Sequence, residues 1–357
     1  MKRIPLWVKL LAVIGVLAGA CVGLAFVPTG EVAYAPVEPI NMDGRIKVNG
    51  AAAERLQGEL YLVGVTERRV NLLQRLLLDV GDPKVDFGPE PPDTPASGPA
   101  PRDVQSMDDA KRLAAAIALD LKGERVDWSG TSAVVARVAA DGPAARQLQA
   151  GDILVSVNGV AVDNGVDAGK LINSRPPGTQ MLFGIRRAAE PLQVRIATVA
   201  PRPTDTLITS RVGMELDTLG LKITLPANRN VEIDSGEVVG PSAGLAFALY
   251  IFDSLEDRED LLRGRHVVAT GSLTPNGFVQ PVGRIRQKAI SAQLANRDIF
   301  LVPAANAAEA QEAVRAQCGE QAQCVRIVGV SSVKDAVAAL KLNDEQLGVR
   351  LASNAAS

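Results

Sequence analysis

Residues 240–244 read GPSAG and run directly into the apolar stretch LAFALYIF at 245–252, while residues 266–288 read HVVATGSLTPNGFVQPVGRIRQK. In the first stretch, Pro241 suits the first turn of a helix, and the small residues around it let another backbone approach closely. Ser242 then sits at a helix N-terminus, where unpaired N–H groups favour developing negative charge. In the second stretch, Val267 to Thr270 reads as a strand, Pro275-Asn276-Gly277 as a turn and Phe278 to Pro281 as a second short strand. Gly283 precedes a helix that carries Lys288, Ala289, Ile290, Ala292 and Leu294. Asp298 to Pro303 is a further strand and Asn306 to Ala316 a further helix. On this reading the C-terminal body spans residues 205–345, and residues 346–357 are a tail.

GPSAG alone is weak, because a serine between small residues at a helix start is more often a cap than a nucleophile. The ordered set is specific. GPSAG, ATG at 269–271, NGFVQPVGRIRQK at 276–288 and DIFLVPAAN at 298–306 together resemble the proteolytic domain of Lon proteases. The resemblance implies a serine endopeptidase with a Ser-Lys dyad and no histidine. Ser242 matches the nucleophile, Lys288 the general base, and Thr270 a threonine whose hydroxyl helps hold that lysine. Backbone N–H groups at Gly240, Ser242 and Ala243 are the candidates for the oxyanion site. A lysine with an ordinary pKa near 10.4 cannot act as a base at neutral pH, but burial among apolar side chains disfavours its charged form. Val239 and Ser272 stand where relatives commonly carry acidic residues. Lon relatives form rings, so a homo-oligomeric ring is implied too. His266, the sole histidine, opens a strand and is read as structural.

Upstream, residues 124–202 form a second unit. Val134 to Val138 reads as a strand, and AADGPAA at 139–145 turns into a short helical segment. LQAGDILVSVNG at 148–159 is a tight turn, an alternating strand and an Asn-Gly turn. Val166 to Ser174 looks helical, and Met181–Arg187 with Leu192–Thr198 looks like a closing strand pair. The unit resembles a PDZ domain, a fold that binds extended peptides by adding them to a sheet edge. The expected edge is the Val134–Val138 strand. Gly130, Thr131, Ser132, Ala133 and Val134 are the expected peptide-binding backbone.

Leu10 to Val27 is an uncharged apolar run of 18 residues, preceded by Lys2, Arg3 and Lys9. At ~1.5 Å per residue it is just long enough to cross a hydrocarbon core. The charge bias places residues 1–9 in the cytoplasm, residues 10–27 in the membrane and the body outside. The rival is a cleavable signal peptide, which also exports the body. Export suits a disulfide between Cys318 and Cys324; the alternative is two unrelated thiols. Residues 30–123 read as a small β-rich region, with short strands at Arg45–Val48 and Glu59–Thr66, a Pro-rich loop at 82–102, and a helix from Met107 to Leu121 capped by Ser106.

Composition narrows the alternatives. The 357 residues carry 38 Lys and Arg against 40 Asp and Glu, for a net charge of -2, with 3% aromatics. That argues against a nucleic-acid surface or a base-stacking platform. One histidine and three scattered cysteines exclude the usual zinc sites, so no metal and no cofactor are expected. No GxxxxGK[ST] run is present, and no ATP dependence is expected.

The chain is therefore read as an α+β/α/β multidomain protein with a transmembrane helix, a PDZ domain and a Lon-type proteolytic domain. It resembles the membrane-anchored PDZ–Lon proteins of the YlbL type. The expected function is an ATP-independent serine endopeptidase at the outer face of the cytoplasmic membrane, with peptide or protein substrates captured by the PDZ unit. The competing readings are a non-catalytic peptide-binding scaffold that retains the protease fold, and a protease that cuts only itself.

Overall fold

The computed structural model describes residues 5–52, 57–90, 101–201, 209–255, 260–319 and 324–348. Eight α-helices are named in chain order: α1 (Leu6–Ala25), α2 (Leu72–Gly81), α3 (Pro101–Leu121), α4 (Gly165–Asn173), α5 (Gly244–Ser254), α6 (Ile285–Leu294), α7 (Ala307–Cys318) and α8 (Val333–Lys341).

The C-terminal body is a three-layer sandwich. Its sheet has the order Ile40–Asn41, Glu59–Leu62, His266–Ala269, Ile299–Pro303, Arg326–Val330. The last four strands are parallel, and Ile40–Asn41 is antiparallel. A buried parallel strand is apolar on both faces, and these strands show it. Leu60, Leu62, Val267, Ala269, Ile299 and Leu301 face one core, built with α3, α5 and α8. Tyr61, Val63, Val268, Phe300 and Val302 face the other, built with α6 and α7. The α3 stretch Ala114, Ala115, Ala116 and Ala118 is small enough for α5 to pack closely. Ten of the eleven α5 residues are buried, which fits a helix that is apolar all round.

The segment read as a separate β-rich region does not stand apart. Glu59–Leu62 lies beside His266–Ala269 in the central sheet, Ile46–Val48 pairs with Val231–Ile233, and α3 packs on α5 within one core. Three local readings there are corrected. Within the region read as β-rich, Leu72–Gly81 is a helix, α2, because Asn71 and Gln74 form a reciprocal capping box. The helix expected from Met107 begins at Pro101, so Ser106 lies inside it and not at its N-cap; a proline at the first turn is the start signal. Inside the expected Pro-rich loop, Asp86–Pro89 is a strand of a three-stranded sheet with Pro28–Pro36 and Val65–Asn71. The rest of that loop, residues 91–100, lies outside the described residues.

The N-terminal helix α1 contains a 19-residue apolar span, Trp7–Ala25, of mean hydropathy 2.3, with none of it buried. By length and composition it is able to cross a membrane. Cys318 and Cys324 are joined in a disulfide with Cα atoms 5.7 Å apart, and Cys21 is a free cysteine on α1.

The second unit is built on the sheet order Glu190–Ala197, Gln180–Arg187, Ile153–Val157, Ser132–Val138, Met214–Leu219, closed over Leu154, Val157, Met181, Phe183 and Ile185 by α4. Asp152 of the Gly-Asp turn is buried, and the Arg187 guanidinium grips both its oxygens at 2.7 Å. Burial works against that carboxylate's charge, but Arg187 and the Gln149 N–H outweigh it and hold its pKa below the usual range.

Candidate active site

Three elements bring Ser242, Thr270 and Lys288 together. Gly240 has φ +86°, a conformation that favours glycine. It turns the chain into a 3-10 turn, Pro241–Ala243, that leads into α5. Ser242 therefore precedes the α-helix rather than lying in it. The Ser242 carbonyl accepts the Gly271 N–H at 2.8 Å, and the Leu245 N–H donates to the Gly271 carbonyl at 3.0 Å. These two bonds lock the turn to the end of the His266–Ala269 strand. Gly271 is required there, because a Cβ at that position would lie 2.5 Å from Val279 Cγ1.

Lys288 lies on α6 and is 4% exposed. Its Nζ donates to Ser242 Oγ at 2.8 Å and to Thr270 Oγ1 at 3.2 Å. Thr270, fully buried, donates its own hydroxyl to the Ser242 carbonyl at 3.1 Å. Burial is the cause that lowers the lysine pKa from 10.5 to about 8. The pair thus has a short contact and a base that is partly neutral near physiological pH.

Of the three backbone groups expected to face an oxyanion, Gly240 is spoken for: its N–H donates to the Asp103 carbonyl at 3.0 Å. Ser242 and Ala243 sit in the 3-10 turn itself, just after Pro241, where the first N–H groups of a turn have no partner within it. His266 lies at the far end of its strand from Thr270, with Nε2 3.7 Å from Glu59. Arg284 stacks 3.4 Å over the Tyr34 ring, and Arg286 donates to the Pro83 carbonyl. With the Arg286–Asp86 pair at 3.5 Å, these contacts tie the start of α6 to the N-terminal three-stranded sheet. Among the described residues, no cluster of three metal-ligating side chains occurs.

The expected peptide edge is corrected. Ser132–Val138 is an interior strand, flanked by Ile153–Val157 on one side and by Met214–Leu219 on the other. The Thr131 N–H donates to the Leu219 carbonyl at 2.8 Å. A Cβ on Gly130 would meet Thr218 Cγ2 at 2.3 Å. The strand that covers this edge arrives from beyond residue 202, outside the stretch read as the unit, so no local pattern revealed it. The end of the sheet is Met214–Leu219. Beside that strand, and against α4 and the 272–280 hairpin of the C-terminal body, lies a groove of about 500 Å³. Ile172, Asn173, Arg211, Met214, Asn276 and Phe278 line it. Among the described residues, Arg211 Nε is buried without a hydrogen-bond partner.

Comparison with known proteins agrees with this architecture. Residues 134–187 match the PDZ domain, and residues 218–340 match the Lon protease (S16) C-terminal proteolytic domain. Over 85 residues the chain is 35% identical to a Lon protease of Roseiflexus castenholzii, covering 23% of this chain and 10% of that protein. The chain thus spans about a tenth of the length of that relative. The PDZ domain of an SdrC-like protein from Listeria monocytogenes is 26% identical over 24% of this chain and 87% of its own, with a TM-score of 0.22. Its counterpart from Listeria innocua is 22% identical over 24% and 92%, also with a TM-score of 0.22. The chain joins a PDZ domain to a Lon-type proteolytic domain. Over the second it is homologous to the proteolytic domain of Lon protease.

Proposed function

We propose that this protein is an ATP-independent serine endopeptidase that uses Ser242 as nucleophile and Lys288 as general base. The supporting observation is the 2.8 Å contact between Lys288 Nζ and Ser242 Oγ, made by a buried lysine whose pKa falls to about 8. About a tenth of such a lysine is neutral at pH 7. Neutral Lys288 takes the Ser242 proton as Oγ attacks the scissile carbonyl. The oxyanion is held by the Ser242 N–H within the turn. Protonated Lys288 then gives its proton to the leaving amine, leaving an acyl-enzyme. Lys288, neutral again, deprotonates the water that hydrolyses the ester. Thr270 positions the lysine: it accepts one Nζ–H and donates a hydrogen bond from its own hydroxyl to the Ser242 carbonyl.

Substrates reach the site as extended chains, held at the Met214–Leu219 edge by strand addition. Arg211 supplies a positive charge for a peptide carboxylate in that groove. The apolar α1 anchors the chain in the cytoplasmic membrane, and the charges of Lys2, Arg3 and Lys9 set the body on the outer side.

The test is cleavage of an unfolded protein and of a fluorogenic peptide by the purified body in nucleotide-free buffer. Cleavage is expected without ATP and unchanged on adding it. It is lost in Ser242→Ala and in Lys288→Met, both folded by circular dichroism. Turnover retained in Lys288→Met rejects the dyad.

A further inference from the structure

Helix α2 presents an apolar stripe that no described residue buries. Leu73, Leu76, Leu77 and Val80 recur at the i, i+3, i+4, i+7 spacing of one helical face. No residue of α2 is buried. Leu76 is 50% exposed, Leu77 64% and Val80 88%. The helix is nonetheless held firmly. Its N-terminus is fixed by the Asn71–Gln74 capping box. Arg75 bonds Glu31 at 3.0 Å and Asp79 at 2.9 Å, and stacks 3.7 Å over Phe87. The contacts with Glu31 and Phe87 pin the polar face to the three-stranded sheet and leave the leucine face turned away from the body.

The position of α2 identifies what covers that face. The Leu72 N–H donates to the Val27 carbonyl at 2.9 Å, and Pro28 pairs with Asn71. So α2 starts where the chain leaves α1. Phe26 and Val27, 82% and 44% exposed, continue the apolar surface from α1 to α2. Three exposed side chains offer on the order of 400 Å², about half of what one partner contributes to a standard protein interface. That is too little for a stable contact with a second copy, but it suits a short helix lying at a lipid boundary.

We propose that α2 lies in the interface of the leaflet from which α1 emerges, with Leu76, Leu77 and Val80 in lipid. Together α1 and α2 then hold the three-stranded sheet, and through it α6, against the membrane surface. The proposal rests on the reading of α1 as a membrane span.

Full-length protein in a Cys21→Ser background is labelled with an environment-sensitive nitrobenzoxadiazole at Leu77→Cys, Val80→Cys, Val16→Cys within α1, or Glu67→Cys on the exposed sheet. Each is reconstituted in phosphatidylcholine–phosphatidylglycerol vesicles carrying shallow or deep doxyl-lipid quenchers. Labels at 77 and 80 are expected to shift to the blue and lose most of their emission to the shallow quencher. Position 16 should answer to the deep quencher and position 67 to neither. Water-like, unquenched emission at 77 and 80 while position 16 is quenched overturns the proposal and leaves the span intact. An unquenched position 16 removes the span and the proposal with it. A blue shift at 77 and 80 that grows with the protein-to-lipid ratio and ignores both quenchers assigns the face to a second copy, and also overturns it.

Discussion

Lys288 is predicted to make opposite contributions to catalysis and to stability. Its pKa falls from 10.5 to about 8 because burial penalises the ammonium form. For catalysis only the neutral form serves. With a pKa near 8, the neutral fraction rises from about 1% at pH 6 to about half at pH 8, so the rate of acylation should climb ~50-fold over that interval. Between pH 8 and 10.5 the unfolded chain binds the proton that the folded chain has released, so stability rises with pH through this window. Below pH 8 the folded protein carries the full penalty, which for a shift of 2.5 units is about 3 kcal/mol. Lys288→Met removes the penalty while keeping most of the volume. At pH 7 it should therefore raise the unfolding free energy by up to about 3 kcal/mol while abolishing cleavage. The gain should vanish near pH 10.5. Lys288→Arg, charged at every accessible pH, should be inactive and less stable. The assays are acylation rate against pH and urea unfolding of the same proteins at pH 7 and pH 10. A flat rate between pH 6 and 8, or a Lys288→Met protein no more stable than wild type at pH 7, refutes the reasoning.

Gly271→Ala forces a Cβ to 2.5 Å from Val279 Cγ1 beside the bond that holds the Ser242 turn; it should cost about 1–3 kcal/mol of stability and most peptidase activity, read by thermal melting and peptide turnover. Arg211→Glu should weaken binding of a carboxylate-ended peptide at least about tenfold by fluorescence anisotropy, with little change for the same peptide amidated. Asp253 is pushed up to about 6 by burial, so its charge opposes folding above that pH. Asn retains the oxygen that accepts the Leu261 N–H at 3.1 Å. The penalty builds up from pH 3.8 to about 6, so Asp253→Asn should raise the melting temperature at pH 7.5 and leave it nearly unchanged at about pH 3.

Much of the proteolytic body was legible because its signals are local. The apolar runs at 245–252 and 299–303 gave a buried helix and a buried strand, and Pro-Asn-Gly at 275–277 marked a hairpin. The Ser242, Thr270 and Lys288 set came from ordered motifs, and the fold brings all three within hydrogen-bonding distance. The partnering of distant segments was not legible. Nothing in Glu59–Leu62 names His266–Ala269 as its neighbour, about 200 residues away. Met214–Leu219 was not read as a strand at all, yet it covers the edge expected to be open and moves the groove to Arg211. The use of the Gly240 N–H by Asp103 depends likewise on where α3 packs. By contrast, α2 was readable: its capping box and leucine spacing are both local, but β-branched neighbours at 63–70 drew the reading toward strands.

The most direct test of the Ser242–Lys288 pair is mass spectrometry of the purified body after reaction with a fluorophosphonate, run beside Ser242→Ala and Lys288→Met. The account predicts one adduct, on Ser242, forming faster as pH rises toward 8 and absent from both variants. A Ser242 adduct that forms equally well in Lys288→Met would contradict it.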